Sequence, residues 1–264
     1  MRKYINCEYL TEESSRKLRE RYNNATPFKH LTLDDFLIDE AALALLSNFP
    51  SRGTHGSREF NVGYRGEKKY QVSPEAFDCP QIDFFRYLNS APFLRLLENI
   101  TGIDGLIGDP HFLGGGYHCT SRGGRLGVHA DFSINPELNL YRRLNLIIYL
   151  NKDWQSDFDG DLELWDSSLD RCVVAVSPTY NRAVIFSTDP HCYHGHPRPL
   201  RCPENTPRRS IALYYYTAQP SLGMANDLVS DTLYYAPRGF SLQERIAAVY
   251  SRVRVSIKKT LNRR

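Results

Sequence analysis

The chain lacks any long apolar run: nothing in its 264 residues approaches the roughly 20 apolar residues of a membrane-spanning helix. Its first residues, Met1-Arg2-Lys3-Tyr4-Ile5-Asn6, have no apolar stretch of the secretory kind, so no export signal is expected there. Charge of one sign is scarce as well. Thirty-three basic against 30 acidic residues leave a net charge of +3, too little to demand a nucleic-acid partner. Cys7, Cys79, Cys119, Cys172, Cys192 and Cys202 are scattered, without the paired spacing of zinc sites. Scattered thiols suit a reducing compartment, and a cytoplasmic protein is expected. No repeat and no low-complexity segment is present.

Aromatic residues are plentiful. Seventeen Tyr and 13 Phe within a 41% apolar composition are enough for a large core. β-rich architectures of this length commonly form one domain. A single domain over 1–264 is therefore expected, with 1–105 mainly helical support, 106–217 a strand-rich core and 218–264 a C-terminal helical extension. Thr11 to Tyr22 is charged and helix-compatible. Asp34-Asp35 precede an amphipathic run, Phe36 to Leu46, with acidic residues at the positive end of the helix dipole. Residues 50–75 are polar and glycine-containing, which reads as loops. Residues 80–100 fit a helix pair broken near Pro92. Ser241 to Leu261 has a helical period and a basic tail (Arg252, Arg254, Lys258, Lys259, Arg263 and Arg264), read as a solvated face.

The chemistry concentrates in His129-Ala130-Asp131, answered by His194 and then by Arg208-Arg209. On a strand, residues i and i+2 point to one side, so His129 and Asp131 present two ligands together. His194 follows Ala183-Val184-Ile185-Phe186-Ser187, a buried-strand pattern, and a turn at Thr188-Asp189-Pro190. Two histidines and one carboxylate occupy one face of an iron(II) ion and leave positions for a cosubstrate and dioxygen. Arg208 opens another strand, and its planar fork suits a carboxylate. Ser210, two residues on, shares its face. His196 is a substitute ligand, and Arg209 a substitute clamp, because a one-residue slip flips faces. His118 and His191 read as ordinary structural histidines.

The stretch from Gly114 to Thr217 resembles the iron(II)- and 2-oxoglutarate-dependent oxygenases of the prolyl-4-hydroxylase-like branch. The residues that carry the likeness are Gly123-Gly124, Val128-His129-Ala130-Asp131, Arg143-Leu144-Asn145 through Tyr149-Leu150-Asn151-Lys152-Asp153-Trp154, Gly160-Asp161-Leu162-Glu163-Leu164-Trp165, Tyr193-His194-Gly195 and Arg208-Arg209-Ser210-Ile211. The resemblance implies a β-rich α+β fold, a double-stranded β-helix of jelly-roll or cupin type flanked by helices. It implies iron ligands at His129, Asp131 and His194, and cosubstrate contacts at Arg208 and Tyr149. Tyr117 stands near the place of another family tyrosine. Where the family has a double glycine this chain has Gly160-Asp161, a difference expected to alter only a loop.

The implied cofactors are Fe(II), 2-oxoglutarate and O2, with ascorbate as a reductant. The implied activity is hydroxylation of a C–H bond in a small metabolite or an amino-acid or prolyl substrate, with 2-oxoglutarate converted to succinate and CO2. Asp131 favours hydroxylation over halogenation, which needs that carboxylate replaced. Arg122, Arg125, Arg142, Arg143, Arg198 and Arg201 fall near the expected mouth, where they would attract an acidic substrate. Two other classes stay open: a silent iron and 2-oxoglutarate sensor, and a cupin-like metalloenzyme that does not use 2-oxoglutarate. Succinate release separates them.

Overall fold

The computed structural model describes residues 3–77, 81–220 and 229–261, without the side chains of 257–261. Cys79 and the side chains of Lys258, Lys259, Arg263 and Arg264 lie outside the described residues. Glu12–Asn24 (α1) starts at Thr11, whose hydroxyl accepts from the Ser14 N–H at 3.1 Å. Asp39–Ser47 (α2), Gln81–Leu88 (α3) and Ala91–Thr101 (α4) follow. The helix expected from Phe36 begins only at Asp39, because Phe36 and Leu37 donate their N–H groups to Asn181 and Leu37 bridges to Ile5. Pro92 sits in the first turn of α4, where a helix leaves the N–H unbonded anyway. The break between α3 and α4 therefore falls at Asn89-Ser90.

The strands are His30–Leu33 (β1), Ser57–Phe60 (β2), Glu67–Val72 (β3), Ile107–Gly108 (β4), Gly116–Ala130 (β5), Ile134–Asn135 (β6), Leu140–Tyr149 (β7), Leu162–Trp165 (β8), Cys172–Val176 (β9), Ala183–Ser187 (β10), His194–His196 (β11), Arg208–Thr217 (β12) and Leu233–Tyr234 (β13). Leu242–Leu261 (α5) closes the described chain. A major sheet runs β2-β3-β5-β12-β7-β10-β1 and a minor sheet runs β13-β5-β11-β8-β9, antiparallel throughout.

Strand β5 belongs to both sheets. It pairs with β12 through Thr120 and with β11 from Leu126 onward. The passage from one sheet to the other contains Gly123-Gly124. Gly123 has φ +75°, and a Cβ on Gly124 would stand 2.6 Å from the Glu67 carbonyl oxygen. The two sheets form a nearly closed barrel, a double-stranded β-helix flanked by helices.

Period-two alternation sorts the side chains. Leu144, Leu146 and Ile148 of β7, and Ile211, Leu213 and Tyr215 of β12, pack toward the helices. Tyr149, Val184 and Phe186 meet Leu162, Leu164 and Val176 of the minor sheet inside the barrel. Residues 50–75, expected as loops, supply β2 and β3, and β1 also comes from the first 105 residues. The β structure is thus wider than 106–217. Tyr70 and Val72 join the core on the helical side. Their alternation is too short to stand out among Glu67, Lys68 and Lys69.

Ser241 and Glu244 cap α5 reciprocally, with the Ser241 N–H donating to Glu244 Oε2 at 2.8 Å. Its exposed side is not purely basic: Leu242, Ile246, Val249, Tyr250 and Val253 are exposed there. No described helix is long and apolar enough to cross a membrane.

Candidate metal centre and its pocket

His129 lies one residue before the end of β5 and Asp131 just past it, so both side chains leave the strand on one side. His194 opens β11 and is paired in register with His129. The register carries out what the 64 intervening residues leave open. His129, Asp131 and His194 form a cluster whose ligand atoms all lie within 4.8 Å of one another. His129 Nε2 is 3.6 Å from Asp131 Oδ1, and His194 Nε2 is 3.4 Å from Asp131 Oδ2.

The other ring nitrogens are committed. His129 Nδ1 bonds the Gly127 carbonyl at 2.8 Å, and His194 Nδ1 bonds the Cys192 carbonyl at 2.9 Å. A carbonyl only accepts, so each Nδ1 carries a proton and each Nε2 is the atom turned to the cluster. That is the tautomer a divalent metal needs. The donor set of two imidazoles and one carboxylate fits iron(II). His196 is also buried on β11 but stands outside the cluster.

Asp131 is held from behind. Arg142 Nη2 donates to its Oδ2 at 2.9 Å and Asn145 Nδ2 donates to the same oxygen at 2.7 Å. Arg142 is itself 1% exposed, lying 3.5 Å from the centroid of Tyr214 and 4.4 Å from that of Phe132. Burial alone would raise the Asp131 carboxyl, but Arg142 and the two histidines outweigh it and hold it well below the ordinary value. Burial and the neighbouring His194 push His129 down.

The far end of the pocket belongs to β12 and β7. Arg208 Nη2 donates to the Tyr149 hydroxyl at 3.1 Å, and Arg208 Nε donates to the Gly160 carbonyl at 2.7 Å. Ser210 is opposite Tyr149 in register and lines the same pocket. Arg209 points to the helical side, over the Phe49 ring at 5.8 Å. Gly160 is more than a loop residue. Its φ is +86°, and a Cβ there would stand 2.6 Å from Leu200 and 3.2 Å from Arg208.

Lys69, His118, Thr120, Asn145, His196 and Tyr214 also line this pocket, and of these the sequence marks only His196, as a substitute ligand. Burial, with Lys69 and Arg208 close by, holds His118 and His196 far below the ordinary histidine value, so both are neutral. Alternation on β5 offered the one available signal: residues 118 and 120 share a face, opposite Tyr117 and Cys119. Tyr117 accordingly turns to the helical core, against Phe49, Phe77 and Phe85, and does not reach the site.

The arginines expected at the mouth are engaged elsewhere. Arg125 pairs with Glu67 and Glu244, Arg201 with Asp159, and Arg122 with the carbonyls of Arg201 and Cys202. Arg198 stands 3.8 Å from Glu163, Arg143 donates to Thr217, and Arg142 serves Asp131. Cys192 is 3% exposed; burial and Asp189 raise its thiol far above the ordinary value, which keeps it unreactive.

Residues 115–216 match the family model of the 2OG-Fe(II) oxygenase superfamily. That stretch is a 2OG-Fe(II) oxygenase domain, the class that the barrel and its two-histidine, one-carboxylate cluster define. The chain is 29% identical over 232 residues to the prolyl 3-hydroxylase OGFOD1 of Mus musculus. This match covers 81% of the chain and 40% of that protein, so the chain spans about two-fifths of its relative. In fold it is similar to a prolyl hydroxylase from Trichoplax adhaerens, solved with a peptide of the hypoxia inducible factor oxygen degradation domain: TM-score 0.55, 19% identity, 80% of this chain and 96% of the other. It is also similar to a prolyl-4-hydroxylase from Pseudomonas putida: TM-score 0.52, 17% identity, 76% of this chain and 98% of the other.

Proposed function

We propose that His129, Asp131 and His194 hold iron(II), that Arg208, Tyr149 and Ser210 receive the distal carboxylate of 2-oxoglutarate, and that the chain hydroxylates a C–H bond. The pair of Nδ1-to-carbonyl bonds that turns both Nε2 atoms toward Asp131 carries this reading. Iron(II) with 2-oxoglutarate supplies oxidation by dioxygen, with succinate and carbon dioxide as coproducts. The chain's own part is geometry. Arg142 and Asn145 keep the Asp131 carboxylate ionised and aimed at the histidines. The Gly160 carbonyl and the Tyr149 hydroxyl fix the Arg208 fork before a carboxylate arrives. Leu162 and Ile147 give the pocket apolar walls that limit water beside the reacting groups.

The substrate class in this reading is a prolyl or other amino-acid residue, with a small metabolite as the second choice. The mouse relative is named a prolyl 3-hydroxylase, and the Trichoplax structure holds a peptide. The free thiols Cys7, Cys119, Cys172, Cys192 and Cys202 fit work in a reducing cytoplasm. The test is succinate release from 2-oxoglutarate with iron(II), scanned over prolyl peptides and small carboxylic acids. Iron- and substrate-dependent succinate supports the reading; iron-loaded protein that releases none with any of them, and binds no 2-oxoglutarate, overturns it.

A further inference from the structure

Lys69 lies outside the stretch matched to the oxygenase superfamily, yet it lines the same pocket. Thr120 of β5 is paired with Arg208 of β12 on one side and with Lys69 of β3 on the other. Arg208, Thr120 and Lys69 thus stand on one rung of the major sheet and face the barrel together. Adjacent strands lie about 4.8 Å apart, which sets the two backbones roughly 10 Å apart. Lys69 and Arg208 both line the pocket that lies along this rung.

Neither cation has a carboxylate partner among the described residues. Arg208 bonds one carbonyl and one hydroxyl, and Lys69 stands over the Phe60 ring at 5.4 Å. Asp131, the carboxylate of the pocket, is already engaged by Arg142. Two cations facing one enclosed pocket repel each other, and an anion between them removes that repulsion. Burial, with Arg208 adding to it and Asp131 opposing it, pushes the Lys69 ammonium down to about 8. His196 Nδ1 is buried without a partner.

We propose that Lys69 is a second cation for the distal carboxylate of 2-oxoglutarate, reaching it from β3 while Arg208 reaches it from β12. The inference rests on the cosubstrate reading above. Lys69 then determines specificity, favouring 2-oxo acids with a second carboxylate over those without one.

Calorimetric titration of manganese(II)-loaded protein tests it with two ligands: 2-oxoglutarate, and 2-oxopentanoate, which has the same carbon chain without the distal carboxylate. Lys69→Met is expected to weaken 2-oxoglutarate about tenfold and to leave 2-oxopentanoate unchanged. Equal weakening of both, or weakening of neither, overturns the role of Lys69. Wild-type protein that takes up manganese but binds 2-oxoglutarate no better than 2-oxopentanoate overturns instead the clamp reading at Arg208.

Discussion

Replacing Arg142 with methionine probes how the candidate metal centre is held together. Methionine keeps an apolar stem but removes the guanidinium. Lost with it are the 2.9 Å bond to Asp131 Oδ2 and the bonds of 3.0 and 2.7 Å to Asn145 Oδ1. Asp131 keeps the Asn145 amide at 2.7 Å. Removing one partner of a buried ion pair costs about 3–5 kcal/mol. For a chain of this size, at about 2 °C per kcal/mol, the unfolding midpoint should fall by about 6–10 °C. A divalent cation bound at Asp131 supplies the missing positive partner. Saturating manganese(II) should therefore shrink the gap between variant and wild type to less than half. Differential scanning calorimetry at pH 7, with and without manganese, measures both gaps. The Asp131 carboxyl is depressed in the fold, so its stabilisation is present above the ordinary aspartate value and fades as pH falls through its lower folded value. Neutral pH thus reads it in full. An equal drop with and without manganese would refute the idea that metal and Arg142 share this carboxylate.

Three further outcomes are expected. Arg208→Ala should raise the 2-oxoglutarate requirement by about 30- to several-thousand-fold, the effect of truncating a buried charge partner worth about 2–5 kcal/mol. Arg209→Ala, which removes only a contact over Phe49, should change it little, and the reverse order in titrations would place the clamp on the wrong face. His194→Ala should abolish stoichiometric iron(II) or manganese(II) uptake, measured by metal content after gel filtration, because two ligands rarely hold a labile divalent ion. Retention of one metal per chain would shift attention to His196. Gly160→Ala should destabilise the fold by about 1–3 kcal/mol, since it forces a side chain into positive φ and against Leu200 and Arg208. It should also weaken 2-oxoglutarate binding, and unaltered binding in a folded variant would show that this carbonyl does not anchor the arginine.

The chain's pattern by itself determined much of what local geometry controls. Strand periodicity put His129 with Asp131, and Arg208 with Ser210, because side chains two apart on a strand always share a face. It also separated Arg208 from Arg209. Gly123-Gly124 stood in the sequence only as part of the family likeness; strand pairing shows that β5 crosses between sheets there.

What it left open is what distant pairing decides. His194 meets His129 through register, which no local pattern contains. Tyr117 and His118 are adjacent, and strand alternation says only that they face opposite ways. Which one enters the pocket was settled by Phe49, Phe77 and Phe85, which pack around Tyr117 on the helical side of β5. Arg142 reads as a surface charge until Asp131, Asn145, Phe132 and Tyr214 close around it. A buried arginine is tolerable only where partners from several segments meet. Lys69 sits in a stretch that looks like loop, and enters the pocket because β3 adds itself beside β5. Tertiary structure decided these placements because desolvated charge draws its partners from across the fold, and sequence distance does not record them.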